Sequence, residues 1–272
     1  MNSNPIGIFD SGVGGLTLLQ QLIKSLPNES FEYYADSGNC PYGSKTKEEI
    51  FDCSKNIMNF LINKGCKLII IACNTITTNI IDELRKDYNI PIVGLEPGTK
   101  LAYKISKNKR IGILATEGTI NGRLYNKTLT NFNDKAFYTS RIGHGLVELI
   151  EKDIIDNIEM KEKLLHIIRP MINMDIDTLV LGCTHYNYLK SILENIFPTH
   201  IELVDTTIAV TRQVERVLNE KNLCSDLSQR KINITTTGDL ILLFKLIKRL
   251  DIDESKLNIG KVPSYNIELT QE

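Results

Sequence analysis

The 272-residue chain is 42% hydrophobic and 24% charged, enough apolar material for one large or two modest packed domains. Its 32 basic and 33 acidic side chains nearly cancel, which argues against a strongly electrostatic nucleic-acid or membrane-surface binder. Seventeen Gly and eight Pro exclude collagen-like and low-complexity chains.

Met1 to Pro5 show no basic region followed by an apolar stretch, so no secretory signal is expected. The longest apolar runs, such as Leu68 to Cys73, are too short to span a bilayer. Six irregularly spaced cysteines read as thiols of a reducing compartment rather than as a disulfide framework, which makes a soluble cytoplasmic protein the expectation.

Taken in chain order, apolar β-rich runs predict strands over Ile6–Phe9, Phe31–Ala35, Leu68–Ala72, Ile90–Val93, Arg110–Ala115, Ala136–Arg141, Thr178–Leu181, Ile201–Val204 and Ile232–Thr236. Leu16, Leu19, Leu22, Ile23 and Leu26 fall on one face of a helix between the first two. Thr46 followed by Glu49 is a capping-box pattern that opens a helix through about Asn63, and Leu240 to Leu250 predicts another helix. Continuously apolar strands alternating with helices predict an α/β fold with mainly parallel sheets flanked by helices.

Two segments recur. Ile6-Gly-Ile-Phe echoes Ile111-Gly-Ile-Leu, and Lys67 to Thr75 echoes Asp177 to His185, in the same order and at similar offsets. The echoes predict two pseudo-symmetric domains with the active site in the cleft between them. Residues after Asp205 have no copy and are expected to pack back on the first half. The expected first domain is 1–96 plus 208–272, and the second is 97–207.

Cys73 and Cys183 each follow a predicted strand at matching positions of the echo, where ligand sites collect in open α/β sheets. A helix N-terminus beyond each would supply amide donors and favour a thiolate. Cys40, Cys53, Cys66 and Cys224 have no such pairing. The loop Asp10 to Gly15 lacks the third glycine of a dinucleotide fingerprint, since position 17 is Thr; Ser11 and Asp10 suit the carboxylate and ammonium of a zwitterion better. Asp36 to Ser44 reads by itself as a surface turn. Thr116, Thr119, Asn74, Thr75 and Thr184 add polar groups at the same sheet edge. His185 lies two residues past Cys183 and could tune it. Glu151, by itself, reads as solvated surface.

Cys73, Cys183 and His185 lack the spacing of a zinc clamp, so no metal is expected. A Cys–His hydrolase leaves one echoed thiol unemployed. Two thiols across a cleft suit inversion of a stereocentre, one taking a proton from carbon while the other returns one to the opposite face.

Six motifs resemble glutamate racemases, of the cofactor-independent aspartate/glutamate racemase superfamily. They are Phe9 to Thr17, Pro41 to Ser44, Ala72 to Thr75, Gly112 to Thr119, Leu181 to Tyr186 and Thr237 to Asp239, in order across most of the chain. The resemblance implies interconversion of L- and D-glutamate for peptidoglycan synthesis, without cofactor. It implies Cys73 and Cys183 as catalytic thiols, Cys73 acting on the D and Cys183 on the L enantiomer. The implied substrate contacts are Asp10, Ser11, Tyr42, Gly43, Asn74, Thr75, Thr184 and His185, and the assisting acid is Glu151. Ile76, Asn187 and the lack of Cys-Pro near Gly143 depart from the family pattern. The expected partner is the amino-acid substrate, with a homodimer compatible and with no nucleic acid or membrane. Preference for glutamate over aspartate rests on the resemblance alone.

Overall fold

The computed structural model describes residues 2–96, 98–130, 135–198 and 200–264. In chain order its elements are β1 (Ile6–Asp10), α1 (Leu16–Ser25), β2 (Phe31–Ala35), α2 (Lys47–Asn63), β3 (Leu68–Ile71), α3 (Asn74–Asp87), β4 (Ile92–Gly94) and α4 (Thr99–Ile105). Then come β5 (Arg110–Ala115), α5 (Glu117–Ile120), α6 (Arg123–Thr130), β6 (Phe137–Ile142), α7 (Leu146–Glu151), α8 (Ile158–Ile172), β7 (Thr178–Gly182), α9 (Lys190–Ile196) and β8 (Glu202–Val204). The chain continues through α10 (Thr207–Glu220), β9 (Ile232–Thr236), α11 (Leu240–Arg249) and β10 (Leu257–Lys261). Short 3₁₀ turns lie at Ser37–Asn39, Tyr42–Ser44, Thr184–Leu189 and Glu254–Lys256.

Every strand pairing is parallel. One sheet runs β10-β9-β2-β1-β3-β4 and the other β6-β5-β7-β8. The order β2-β1-β3-β4 in the first sheet is the order β6-β5-β7-β8 in the second. The two sequence echoes therefore fall on equivalent strands, β1 with β5 and β3 with β7, as the pseudo-symmetric reading requires. β1, β2, β3 and β7 are buried along their whole length, which explains why their sequences are apolar at nearly every position instead of alternating.

Leu16, Leu19 and Leu22 bury the predicted face of α1, and α10 lies against that helix. The capping box of α2 is complete: Glu49 N donates to Thr46 Oγ1, and Glu49 Oε2 accepts from Thr46 N at 2.7 Å. The segment after Asp205 returns to the first sheet through β9 and β10. The sequence reading did not include β10. Leu257 to Lys261 is a half-exposed edge strand with a glycine and two polar residues, so it lacks the apolar run that marks the inner strands. Among the described residues, no helix is long and apolar enough to cross a membrane.

Candidate active site

β1, β3 and β7 all end at the same place, where the carboxyl edges of the two sheets approach each other. Asp10 closes β1; Cys73 is the N-cap of α3, and Cys183 is the N-cap of the 3₁₀ helix Thr184–Leu189. The second thiol thus precedes a 3₁₀ turn, where a regular helix had been expected. Both thiols are buried and line one tight cavity of about 10 Å³. Ser11, Tyr42 and Asn74 from the first sheet meet Thr116, Val147 and His185 from the second around it. A larger cavity of about 440 Å³, bordered by Arg85, Glu96 and Arg216, contains neither thiol.

The glycines of the first loop make the approach possible. A Cβ on Gly12 would lie 1.9 Å from Glu151 Oε1, and one on Gly14 would lie 2.6 Å from the His185 amide nitrogen. The loop is glycine-rich because residues of the other sheet occupy the space of its side chains.

The Asp10 carboxylate is fully buried. Its Oδ2 accepts from Thr184 Oγ1 at 2.8 Å, while Oδ1 accepts from Ser11 Oγ and the Gly12 amide, both at 3.1 Å. Burial pushes the Asp10 carboxyl above the usual aspartate range against the pull of His185 and these donors. Ser11 Oγ in turn accepts from Cys73 Sγ at 3.5 Å. Burial, and next the negative charge of Asp10, push the Cys73 thiol up to about 12.

On the opposite side, His185 Nδ1 lies 3.8 Å from Cys183 Sγ and Nε2 lies 2.6 Å from Glu151 Oε1. Burial alone would lower the imidazole. Its contacts with Cys183, Cys40 and Glu151 outweigh burial and hold it well above the usual histidine range. Glu151 Oε1 also accepts from the Val13 amide at 2.8 Å, and its side chain is 15% exposed. For the Glu151 carboxyl, burial opposes ionisation, but the His185 and Val13 contacts prevail and lower it.

Asn74 is 3% exposed, and neither its amide oxygen nor its nitrogen has a hydrogen-bond partner among the described residues. Two unmet polar atoms beside the cavity are expensive in an empty site and available to a ligand. Thr75 Oγ1 lies 2.9 Å from Thr116 Oγ1 and 3.3 Å from Thr119 Oγ1. The loop after β2 is no surface turn: Tyr42 is buried and donates to Asp36 Oδ2 at 2.5 Å, and Thr237 Oγ1 donates to Asp36 Oδ1 at 2.9 Å. Gly43 lines the cavity beside Thr116.

All the residues singled out in the sequence are therefore gathered at one edge. Besides that of the loop Asp36 to Ser44, two more readings made without the resemblance change. Glu151 is mostly buried and bonded to His185, not solvated surface. Cys40, set aside as an unpaired thiol, has its sulfur within 4.8 Å of a His185 ring nitrogen. Its place directly after β2 and before the Pro41-Tyr-Gly motif was the available signal.

A family model described as Asp/Glu/Hydantoin racemase matches residues 7–214. The chain belongs to the Asp/Glu/hydantoin racemase family. Within it, the glutamate racemase of Herpetosiphon aurantiacus is 38% identical over 93% of this chain and 100% of its own length. That of Ralstonia pickettii is 37% identical over 95% of this chain and 93% of its own. Among solved structures, a glutamate racemase isoform of Bacillus anthracis superposes with a TM-score of 0.86 at 29% identity, covering 96% of this chain and 98% of that one. The Francisella tularensis glutamate racemase, solved in complex with D-glutamate, gives a TM-score of 0.83 at 27% identity over 95% of this chain and 98% of that one. The architecture of this racemase, two parallel sheets flanked by helices, is thus that of the glutamate racemases of the family.

Proposed function

We propose that this chain interconverts L- and D-glutamate by proton transfer between the α-carbon and two thiols, Cys73 and Cys183. The observation that carries the reading is their burial against one small cavity at the ends of equivalent strands, beside the unpartnered Asn74 amide. Full-length similarity to curated glutamate racemases favours glutamate over aspartate as substrate.

The chemical obstacle is the weak acidity of an α-C–H. Donors already in place where charge develops lower it, and excluding water strengthens them. Asn74, Thr75 and Thr184 surround the carboxylate end of the substrate in this reading. Ser11 adds a donor for the carboxylate, Asp10 takes the ammonium end, and Tyr42 and Gly43 close the cavity. Cys183 accepts the proton of L-glutamate while Cys73, held as a thiol by burial, returns one to the other face. The His185 imidazolium sits where negative charge forms when Cys183 gives up its proton, and Glu151 orients the ring. In the reverse direction Cys73 must ionise, and the substrate ammonium beside Asp10 offsets the charge that opposes this. Carbanion capture by the second thiol removes the need for a carbonyl cofactor.

The separation of the strands into two sheets supports a first domain of 1–96 with 208–272 and a second of 97–207, and closure of one on the other would exclude water. The D-glutamate formed would supply peptidoglycan synthesis in the cytoplasm, and a homodimer is compatible with the reading. The test is incubation with L-glutamate in D2O, following optical rotation and α-deuterium together. Loss of rotation with deuterium incorporation is expected; ligand-induced stabilisation with neither would make the protein a binding module.

A Cys–His hydrolase is the second reading, favoured by the line of contacts from Cys183 through His185 to Glu151. It needs only one thiol. A Cys73→Ala variant that still hydrolyses an amide or ester and never racemises glutamate would establish it instead.

A further inference from the structure

Cys40, Glu151 and His185 come from three distant segments: the loop after β2, the end of α7 and the 3₁₀ helix after β7. One ligating atom of each lies within 4.8 Å of the other two. A thiol, an imidazole and a carboxylate are the donors that select a borderline-soft divalent cation such as Zn²⁺ over magnesium or calcium. We propose that Cys40 Sγ, His185 Nε2 and a Glu151 carboxylate oxygen form a binding site for a zinc-class divalent cation, and that its occupancy switches the enzyme off.

The surroundings suit a metal. The Val13 amide holds Glu151 Oε1 at 2.8 Å, and the far nitrogen of His185 faces Cys183 Sγ, so both donors already have outer partners that fix their orientation. His185 is buried, while Cys40 and Glu151 are each partly exposed. The 2.6 Å contact between His185 Nε2 and Glu151 Oε1 is shorter than two ligands of one zinc ion can be, so the two side chains part slightly as the cation replaces the proton between them. Binding releases that proton and the Cys40 thiol proton to solvent. Three protein ligands leave the fourth position to water or to a substrate carboxylate.

The inhibitory consequence rests on the racemase reading; the metal site does not. A cation on Nε2 leaves a single ring proton, on Nδ1 facing Cys183, and ties Glu151 away from its orienting contact. With Nε2 occupied the ring can no longer become the imidazolium that the racemase reading sets against the charge forming on Cys183, and Glu151 no longer orients it.

Cobalt(II) reports both halves. Chelator-treated protein titrated with Co²⁺ is expected to bind one equivalent, with tetrahedral d–d bands and a thiolate-to-cobalt charge-transfer band that Zn²⁺ displaces. Cys40→Ala should lose the charge-transfer band and weaken binding by at least roughly tenfold. The racemisation that this variant retains in chelator should also resist Zn²⁺ that inhibits the parent protein. Absence of stoichiometric binding would overturn the site, as would a charge-transfer band that survives in Cys40→Ala and disappears in Cys73→Ala or Cys183→Ala. Cobalt bound through Cys40 without Zn²⁺ inhibition would overturn the switch. A protein that never racemises glutamate would defeat the racemase reading and leave the cobalt spectrum to judge the site.

Discussion

Thr184 Oγ1, in the loop after β7, donates a 2.8 Å hydrogen bond to Oδ2 of Asp10 at the end of β1. One contact therefore joins the two sheets and fixes a buried carboxylate beside Cys73. It also makes Asp10 a receiver of three donors, a role that an amide cannot reproduce on both of its atoms.

Asp10→Asn nearly preserves shape and removes the charge. Turnover of glutamate should fall by at least roughly 100-fold while the melting temperature moves little. The sign of the pH effect follows from burial, which raises the native carboxyl above its ordinary 3.8. Asp10 therefore costs the native state stability as pH rises from that value through the raised one. Denaturation at several pH values should show the variant gaining on the parent across that window. Equal activity in the variant would return Asp10 to the role of a turn residue.

The two thiols should be separable by isotope. Cys73→Ala and Cys183→Ala should each lose racemisation in both directions by on the order of 10²–10⁴-fold, with near-parental circular dichroism. In D2O, Cys73→Ala should still exchange the α-proton of L-glutamate slowly through Cys183, and Cys183→Ala that of D-glutamate through Cys73. NMR of the recovered amino acid reads this directly. Substantial racemisation in either variant would refute the two-thiol mechanism.

His185 has no equivalent beside Cys73, where Asn74 and Thr75 follow instead. His185→Asn should therefore lower kcat unequally for the L and D enantiomers. The equilibrium constant ties the two kcat/KM values together, so the KM values must shift to compensate. Full progress curves from both enantiomers test this, and proportional losses in both kcat values would reduce His185 to substrate positioning.

Stability should titrate at a site far from the thiols. The Asp177 carboxylate accepts from Ser106 Oγ and the Lys107 amide at 2.6 Å, from the Asn108 amide at 2.8 Å and from Thr178 Oγ1 at 2.9 Å, tying the turn before β5 to the start of β7. Partial burial opposes its ionisation, but these donors, led by Ser106, hold it below the usual 3.8. Its contribution is present above that value and is lost as pH falls through the lowered one. Asp177→Asn should cost on the order of 2 kcal/mol at neutral pH, and the difference should shrink in acid. A difference that stays constant with pH would assign the loss to shape instead of charge.

Much of this molecule is determined locally and was legible in the residues. Burial of β1, β3 and β7 on both faces demands continuous apolar runs, so those strands stand out, and the echo of Ile6 with Ile111 and of Cys73 with Cys183 places both thiols at equivalent strand ends. The edge strand Leu257–Lys261 is half-exposed and leaves no such trace. Which side chains meet across the sheets was decided only by the tertiary structure. Glu151 looks like any helical glutamate until α7 carries it 2.6 Å from His185, and Cys40 looks like a lone thiol until the loop after β2 brings its sulfur within 4.8 Å of the same ring. Gly12 and Gly14 show in the sequence only as part of a glycine-rich loop, yet they are small because Glu151 and His185 occupy the space of their side chains. Strand and helix patterns are set by each segment's own burial, whereas contacts between residues tens to more than a hundred positions apart depend on how helices, loops and sheets pack, which no local spacing encodes.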